Sequence, residues 1–254
     1  ITKARESLSE EGFYSFKLSR EERVSFAVVL MIGSDDYITL SEIADHLFVS
    51  RSTIIQDLEH IKNFCRERHL YVLSHSNKGL LLEGREIDKR NLLLDMIQSG
   101  NSIFKVEPIF QHLTQCLSKN LKIDLEDISI IEKIINEAEH IYGRFLTDRS
   151  FAQLRNYFQL SLYRLRKSHY VEYGGKKNSK WEMAKGMIDQ IQQFIVKEIP
   201  DTEIYYVADV LNRMKYIKKT TSNKEIVKMQ VITRNFIQNI SKDIHINLQG
   251  DYIF

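Results

Sequence analysis

Residues 38–84 combine two helix-opening signals with a short apolar rhythm, and that combination leaves few folds open. Thr39 and Glu42 form a capping-box pair that starts a short helix, with Ile43, Ala44 and Leu47 as its apolar face. Phe48-Val49 closes a tight turn, and Ser50 caps a longer helix running to about Arg68. In it Ile54, Leu58, Ile61 and Phe64 recur at three- and four-residue steps, the spacing of a buried stripe. Leu70 to Leu73 and Gly79 to Leu82 then flank Ser74-His75-Ser76-Asn77-Lys78 as strand, turn and strand. A further capping pair, Ser19 with Glu22, opens a preceding helix through Met31. Short helix, tight turn, long helix and hairpin are the parts of a winged helix-turn-helix, predicted over 19–86.

That geometry makes double-stranded DNA the first partner to consider, because the second helix of such a pair projects its N-terminal residues into the major groove. The small side chains of Ser50, Ser52 and Thr53 permit close backbone approach, and Arg51 reaches a phosphate or a guanine edge. Gln56, one turn on, suits adenine, and Ser52, Ile55, Gln56 and Glu59 share the face turned away from the stripe. His75 and Lys78 at the wing tip suit a neighbouring phosphate. Helix-turn-helix pairs also occur in protein–protein modules, and the local charge opposes DNA. Glu10, Glu11, Glu21, Glu22, Asp35, Asp36, Asp57, Glu59, Glu83 and Glu86 lie in or beside the module. Phosphate neutralisation drives much of DNA affinity, so a single copy is expected to bind weakly without dimerisation or a second DNA-binding unit.

With two prolines and ten glycines in 254 residues, the remainder is nearly all helical pattern, and the fold class is mainly α. A linking helix is expected over 85–99 and another over 108–120. Five amphipathic helices then fill 125–241: 126–142, 147–168, 179–199, 203–217 and a last one after the polar turn Thr220-Thr221-Ser222-Asn223. The domain plan is a linker from a preceding module (1–18), the winged domain (19–86), connecting helices (87–124), a bundle (125–241) and the truncated start of another unit (242–254). A first residue Ile1 and the finish Asp251-Tyr252-Ile253-Phe254 are read as those of a piece of a longer protein.

Composition narrows the class. A net charge of +2 with 28% charged residues is not that of a polybasic tail binder. Cys65 and Cys116 stand alone, which predicts reduced thiols and a cytoplasmic location. No apolar run spans a membrane. No enzyme, metal or cofactor is expected, since no phosphate-cradling, nucleophile-elbow, dinucleotide or metalloprotease motif is present and the eight histidines form no metal pair. Gly174-Gly175-Lys176-Lys177 reads as a mobile, solvated loop, and the basic stretch from Arg164 to Lys180 as the solvated end of a helix.

YITLSEIADHLFVSRSTIIQDLEHIKNFC followed by GLLLEGREIDKRNLLLDMI resembles the second helix-turn-helix of a family of bacterial transcriptional regulators of sugar operons. These carry phosphotransferase-system regulation domains (PRDs) and are of the BglG and mannitol-operon-activator type. LTDRSFAQLRNYFQLSLYRLRK (146–167) resembles the second helix of such a domain, with its terminal arginine at Arg164, and DTEIYYVADVLNRMK (201–215) resembles its fourth. The resemblance implies a winged helix-turn-helix followed by a five-helix PRD-like bundle, then the opening of a second PRD. It implies a DNA-binding activator, working as a homodimer and controlled by phosphotransferase-system proteins such as the phosphocarrier protein or EIIB.

Family members normally carry two phosphate-accepting histidines per regulation domain. The first slot here holds Tyr157 and the second holds Val210, so this copy is expected to lack the usual phosphosites, leaving phosphorylation to domains outside the chain. His169 and His140 are weaker substitutes. In the family's switch, phosphate alters the dimer arrangement and so the spacing of recognition helices, about 34 Å for adjacent half-sites. Tyr157, Phe158, Tyr205 and Tyr206 are candidates for the dimer contact. The alternatives are a virulence-type PRD regulator not switched by phosphorylation, an RNA-binding antiterminator, and an interaction module that no longer binds DNA.

Overall fold

The computed structural model describes residues 18–34, 36–98, 125–217, 229 and 231–236. The winged domain opens with α1 (Arg20–Gly33), α2 (Leu40–His46) and α3 (Arg51–Arg66). Ser19 with Glu22 and Thr39 with Glu42 both form complete capping boxes, and the Ser50 hydroxyl accepts from Thr53 N at 3.1 Å. β1 (Tyr71–His75) and β2 (Gly79–Glu83) pair antiparallel from Tyr71↔Glu83 to His75↔Gly79. β1 thus extends to His75 rather than stopping at Leu73, and the turn narrows to Ser76-Asn77-Lys78. Ile38 exchanges two backbone hydrogen bonds with Leu80, at 2.9 and 2.8 Å. Gly79 has φ 110°, and a Cβ there would lie 2.3 Å from the Ile38 carbonyl oxygen, so only glycine lets the wing sit against that segment.

The core of this domain gathers Phe26, Ile43, Ile54, Ile61, Leu70 and Leu80. The buried stripe of α3 is Ile54, Asp57, Ile61 and Cys65, while Leu58 and Phe64 are only partly covered. A carboxylate therefore occupies a core position that apolar spacing alone passes over.

α4 (Glu86–Gln98) leads out of the winged domain. The bundle contains α5 (Leu125–Tyr142), α6 (Asp148–Arg166), α7 (Trp181–Gln192) and α8 (Asp201–Arg213), and residues 229 and 231–236 are helical. Two of these helices differ from expectation. α7 stops at Gln192 instead of Ile199 because the Gln192 amide donates to the carbonyls of Ile195 and Lys197 and accepts from Ile199 N, folding the chain into a turn. Pro200 also disfavours helix at the residue before it. α8 starts at Asp201 and ends at Arg213, because Thr147 N donates to Lys215 O and Ile217 N to Phe145 O, drawing 215–217 into an extended bridge. Residues 1–17 of the expected linker 1–18, the helix expected over 108–120, Cys116 and the segment 242–254 lie outside the described residues.

The bundle core includes Ile135, Leu154, Phe158, Met187, Val207 and Leu211. Tyr157, Phe158 and Tyr206 are buried in it, so they serve packing rather than a dimer contact, and Tyr205 is half-buried. The basic stretch is also corrected. Arg164 and Lys180 are both buried. The 174–177 loop is exposed at Gly174, Lys176 and Lys177, as expected, while its flanks are tied to α8, since Tyr173 Oη and Asn178 Nδ2 both donate to Asp209.

The two domains share their packing. Leu160 of α6 belongs to the winged domain's core, while Ile87 and Leu94 of α4 pack against the bundle core. Among the described residues no helix is long and apolar enough to cross a membrane.

Candidate nucleic-acid interface and interdomain ion cluster

At the start of α3 the Ser50 hydroxyl lies 2.6 Å from that of Ser52 and 2.8 Å from that of Thr53. Ser50 is committed to capping, which leaves Arg51, Ser52 and Gln56 as the more available polar side chains, all exposed. Ile55 beside them is 50% exposed and Phe48, in the turn at φ 52°, is 46% exposed. Apolar groups at such positions suit thymine methyls. Phe48 was expected only to close the turn. At the wing, His75 packs edge-on to Tyr37 (ring centroids 5.9 Å apart), and Lys78 Nζ lies 5.4 Å from the Tyr37 ring centroid. Tyr37 holds the wing tip together, and sequence reading missed it; its signal was an aromatic one residue before the Ile38 that bridges to the wing.

Several acids expected to oppose DNA are neutralised inside the protein. Asp57 accepts from Arg23 at 2.6 and 3.1 Å and from Arg20 at 3.2 Å. Glu22 is spent on the Ser19 cap at 2.7 Å.

Glu86, the last of those acids, belongs to a buried cluster at the junction of the domains. Its carboxylate accepts from Arg164 at 2.8 and 2.7 Å and from Arg90 Nε at 3.1 Å. Arg90 also makes a two-pronged contact with Glu203 of α8, at 2.8 and 2.9 Å, and donates to the Tyr157 and Ser161 hydroxyls and to His169 O. Two guanidiniums and two carboxylates thus balance each other, which is what keeps buried charges tolerable. Arg164 further donates to Ile32 O at 2.9 Å and Lys167 to Gly33 O at 3.1 Å. Cations from the end of α6 and from Lys167 just after it thereby satisfy open carbonyls at the negative end of α1.

The cluster shifts its own titrations. Burial alone would raise the Glu86 carboxyl, but the charges and hydrogen bonds of Arg164 and Arg90 outweigh it and hold it below the ordinary carboxylate range. Burial likewise opposes the Arg90 charge, and the Tyr157 oxygen with Glu203 and Glu86 reverses that, raising its pKa. Tyr157 is pushed upward chiefly by burial, so it stays a neutral phenol.

Tyr157 therefore faces Arg90 across the domain junction, and Val210 is buried on α8, where neither offers an imidazole. His140 is exposed and the His169 carbonyl is taken by Arg90. From sequence, Arg164 was marked as a helix-ending arginine, Tyr157 as a histidine slot and Glu86 only as an acid opposing DNA, while Arg90 was given no role. Among the described residues no group of three or more His, Cys, Asp or Glu is placed to hold a metal.

Comparison with known proteins matches an HTH domain to residues 23–80 and a PRD domain to residues 132–214. The chain is 20% identical over 244 residues to the "Probable licABCH operon regulator" of Bacillus subtilis (strain 168), covering 91% of this chain and 36% of that protein. It is 22% identical over 248 residues to the transcriptional regulator ManR of the same organism, covering 93% of this chain and again 36% of the relative. The chain thus spans about a third of the length of both. With an HTH domain followed by a PRD domain, it is a PRD-containing helix-turn-helix protein, matching bacterial transcriptional regulators.

Proposed function

We propose that this chain is the part of a cytoplasmic transcriptional regulator that binds duplex DNA through residues 19–86 and acts on a carbohydrate-utilisation operon. The observation that carries the reading is the exposed start of α3, with Arg51, Ser52, Ile55 and Gln56 free to enter a groove, inside a matched HTH domain. The operon assignment follows from the similarity to the licABCH operon regulator, and the regulatory role from both relatives. Because exposed acids such as Glu59 and Glu83 remain, useful affinity calls for a homodimer. Fluorescence anisotropy on labelled duplexes from upstream of its own operon, across a salt series, tests this. Specific binding that falls steeply with salt and is lost in Arg51→Ala supports it. Tighter binding to a single-stranded or hairpin RNA would favour the antiterminator reading instead, and no binding by the folded protein would leave an interaction role.

A second reading concerns control. This PRD is silent to the phosphorelay, and phosphotransferase-system proteins act through domains elsewhere in the regulator or, in a virulence-type regulator, not at all. The buried Tyr157–Arg90–Glu203 contact favours it, since that volume is already filled by a neutral, balanced network. Incubation with the phosphocarrier protein, its kinase and phosphoenolpyruvate is expected to leave residues 132–214 unphosphorylated. Acid-labile phosphate on His140 or His169 would reverse that conclusion.

A further inference from the structure

Beside the bundle, the α5–α6 loop and the extended residues 216–217 wall a groove of about 430 Å³, within the size range of small-molecule sites. Arg144 and Lys180 both line it. Lys180 is only 6% exposed, with Nζ 3.7 Å from the Tyr216 ring centroid. Among the described residues three cations are buried, and the other two, Arg90 and Arg164, each hold carboxylates. Lys180 holds none, and neither does Arg144. Glu139, the acid that acts on Tyr216, is already committed to Leu146 N and Arg234.

The Lys180 side chain is largely covered but its ammonium has no carboxylate partner among the described residues, so the Tyr216 face offsets only part of its desolvation. Burial first, and then the neighbouring Arg144 charge, lower the Lys180 pKa. An anion in the groove relieves both effects at once. Tyr142, whose hydroxyl is fixed on Glu182 O at 2.8 Å, and Tyr216 line the groove with the two cations.

We propose that this groove binds a small phosphate monoester, with Lys180 and Arg144 holding the phosphate oxygens and Tyr142 and Tyr216 flanking the organic part. The site is independent of the DNA reading and of the histidine slots. It adjoins the Leu146–Tyr216 bridge that precedes α6, so its occupant bears on the helix that carries Arg164.

Equilibrium dialysis of the whole chain against radiolabelled orthophosphate at fixed ionic strength tests it. Competition by a hexose phosphate ester and by the neutral hexose tests the chemistry. Trp181, the single tryptophan and the next residue after Lys180, serves as a local fluorescence reporter. The expected result is one saturable site, displaced by the ester and not by the neutral sugar. Arg144→Gln and Lys180→Met should each weaken it at least tenfold, a typical order for one lost charge contact, roughly. Arg144 is exposed, so its variant keeps the fold and decides the matter if the Lys180 variant does not. No saturable binding below about 10 mM, equal displacement by the neutral sugar, or unchanged affinity in Arg144→Gln would each overturn the proposal.

Discussion

Arg90 is fully buried and spends its guanidinium on Glu86, Tyr157, Ser161, Glu203 and the His169 carbonyl. Replacing it with Met strands Glu203 in the core, and urea denaturation should register a loss of about 3–5 kcal/mol. Pairing Arg90→Met with Glu203→Leu should recover part of that loss; a double variant worse than the sum of the singles would contradict the ion-pair account. Glu86 gives a pH signature. Its folded-state pKa lies below its unfolded value, so its contribution is present above the ordinary carboxylate range and disappears as pH falls through the lowered value. Thermal melts should therefore lose stability on acidification, and Glu86→Gln should flatten that part of the profile. None of this was readable from the sequence, because Glu203 sits 113 residues from Arg90 and no local spacing links them. Cys65 behaves oppositely to an exposed thiol, since burial pushes it up to about 12. In a Cys116→Ser background it should resist thiol reagents until the protein unfolds.

Helix starts with a capping side chain were legible, whereas α7 and α8, which have no side-chain cap, were misplaced at both ends. Ser19, Thr39, Ser50 and Thr147 all cap where their side chains suggested, because capping is a bond between near neighbours. α7 and α8 ended early for reasons held elsewhere in the fold: the Gln192 amide in one case and the pairing of 215–217 with the α5–α6 loop in the other. Gln192→Leu removes three hydrogen bonds from the 193–199 turn. The expected cost is about 1–3 kcal/mol, with faster amide exchange at Ile199. An exchange rate at Ile199 equal to the wild type would show that the turn does not depend on Gln192. The recognition helix was placed correctly by periodicity, yet its buried Asp57 was counted as an acid against DNA. Periodicity counts apolar residues, so it had no means of finding a carboxylate satisfied by Arg20 and Arg23 of α1.

At the scale of the whole molecule, α6 is common to both domains. Its Leu160 fills the winged domain's core, and Arg164 and Lys167 close the last carbonyls of α1. The two domains should consequently unfold in one cooperative step, and Arg164→Met should split the calorimetric transition in two. A single unshifted transition in that variant would mean that apolar packing alone joins them. The order of the domains was legible from motif resemblance, but their mutual docking was not, since it rests on side chains that meet only after both have folded. The capping of α1 by α6 also imposes reciprocity. A bundle ligand and a duplex that both distinguish two positions of α6 change each other's affinity by the same factor. Under the proposed DNA reading, the duplex is in this sense also an effector of the bundle for any such ligand.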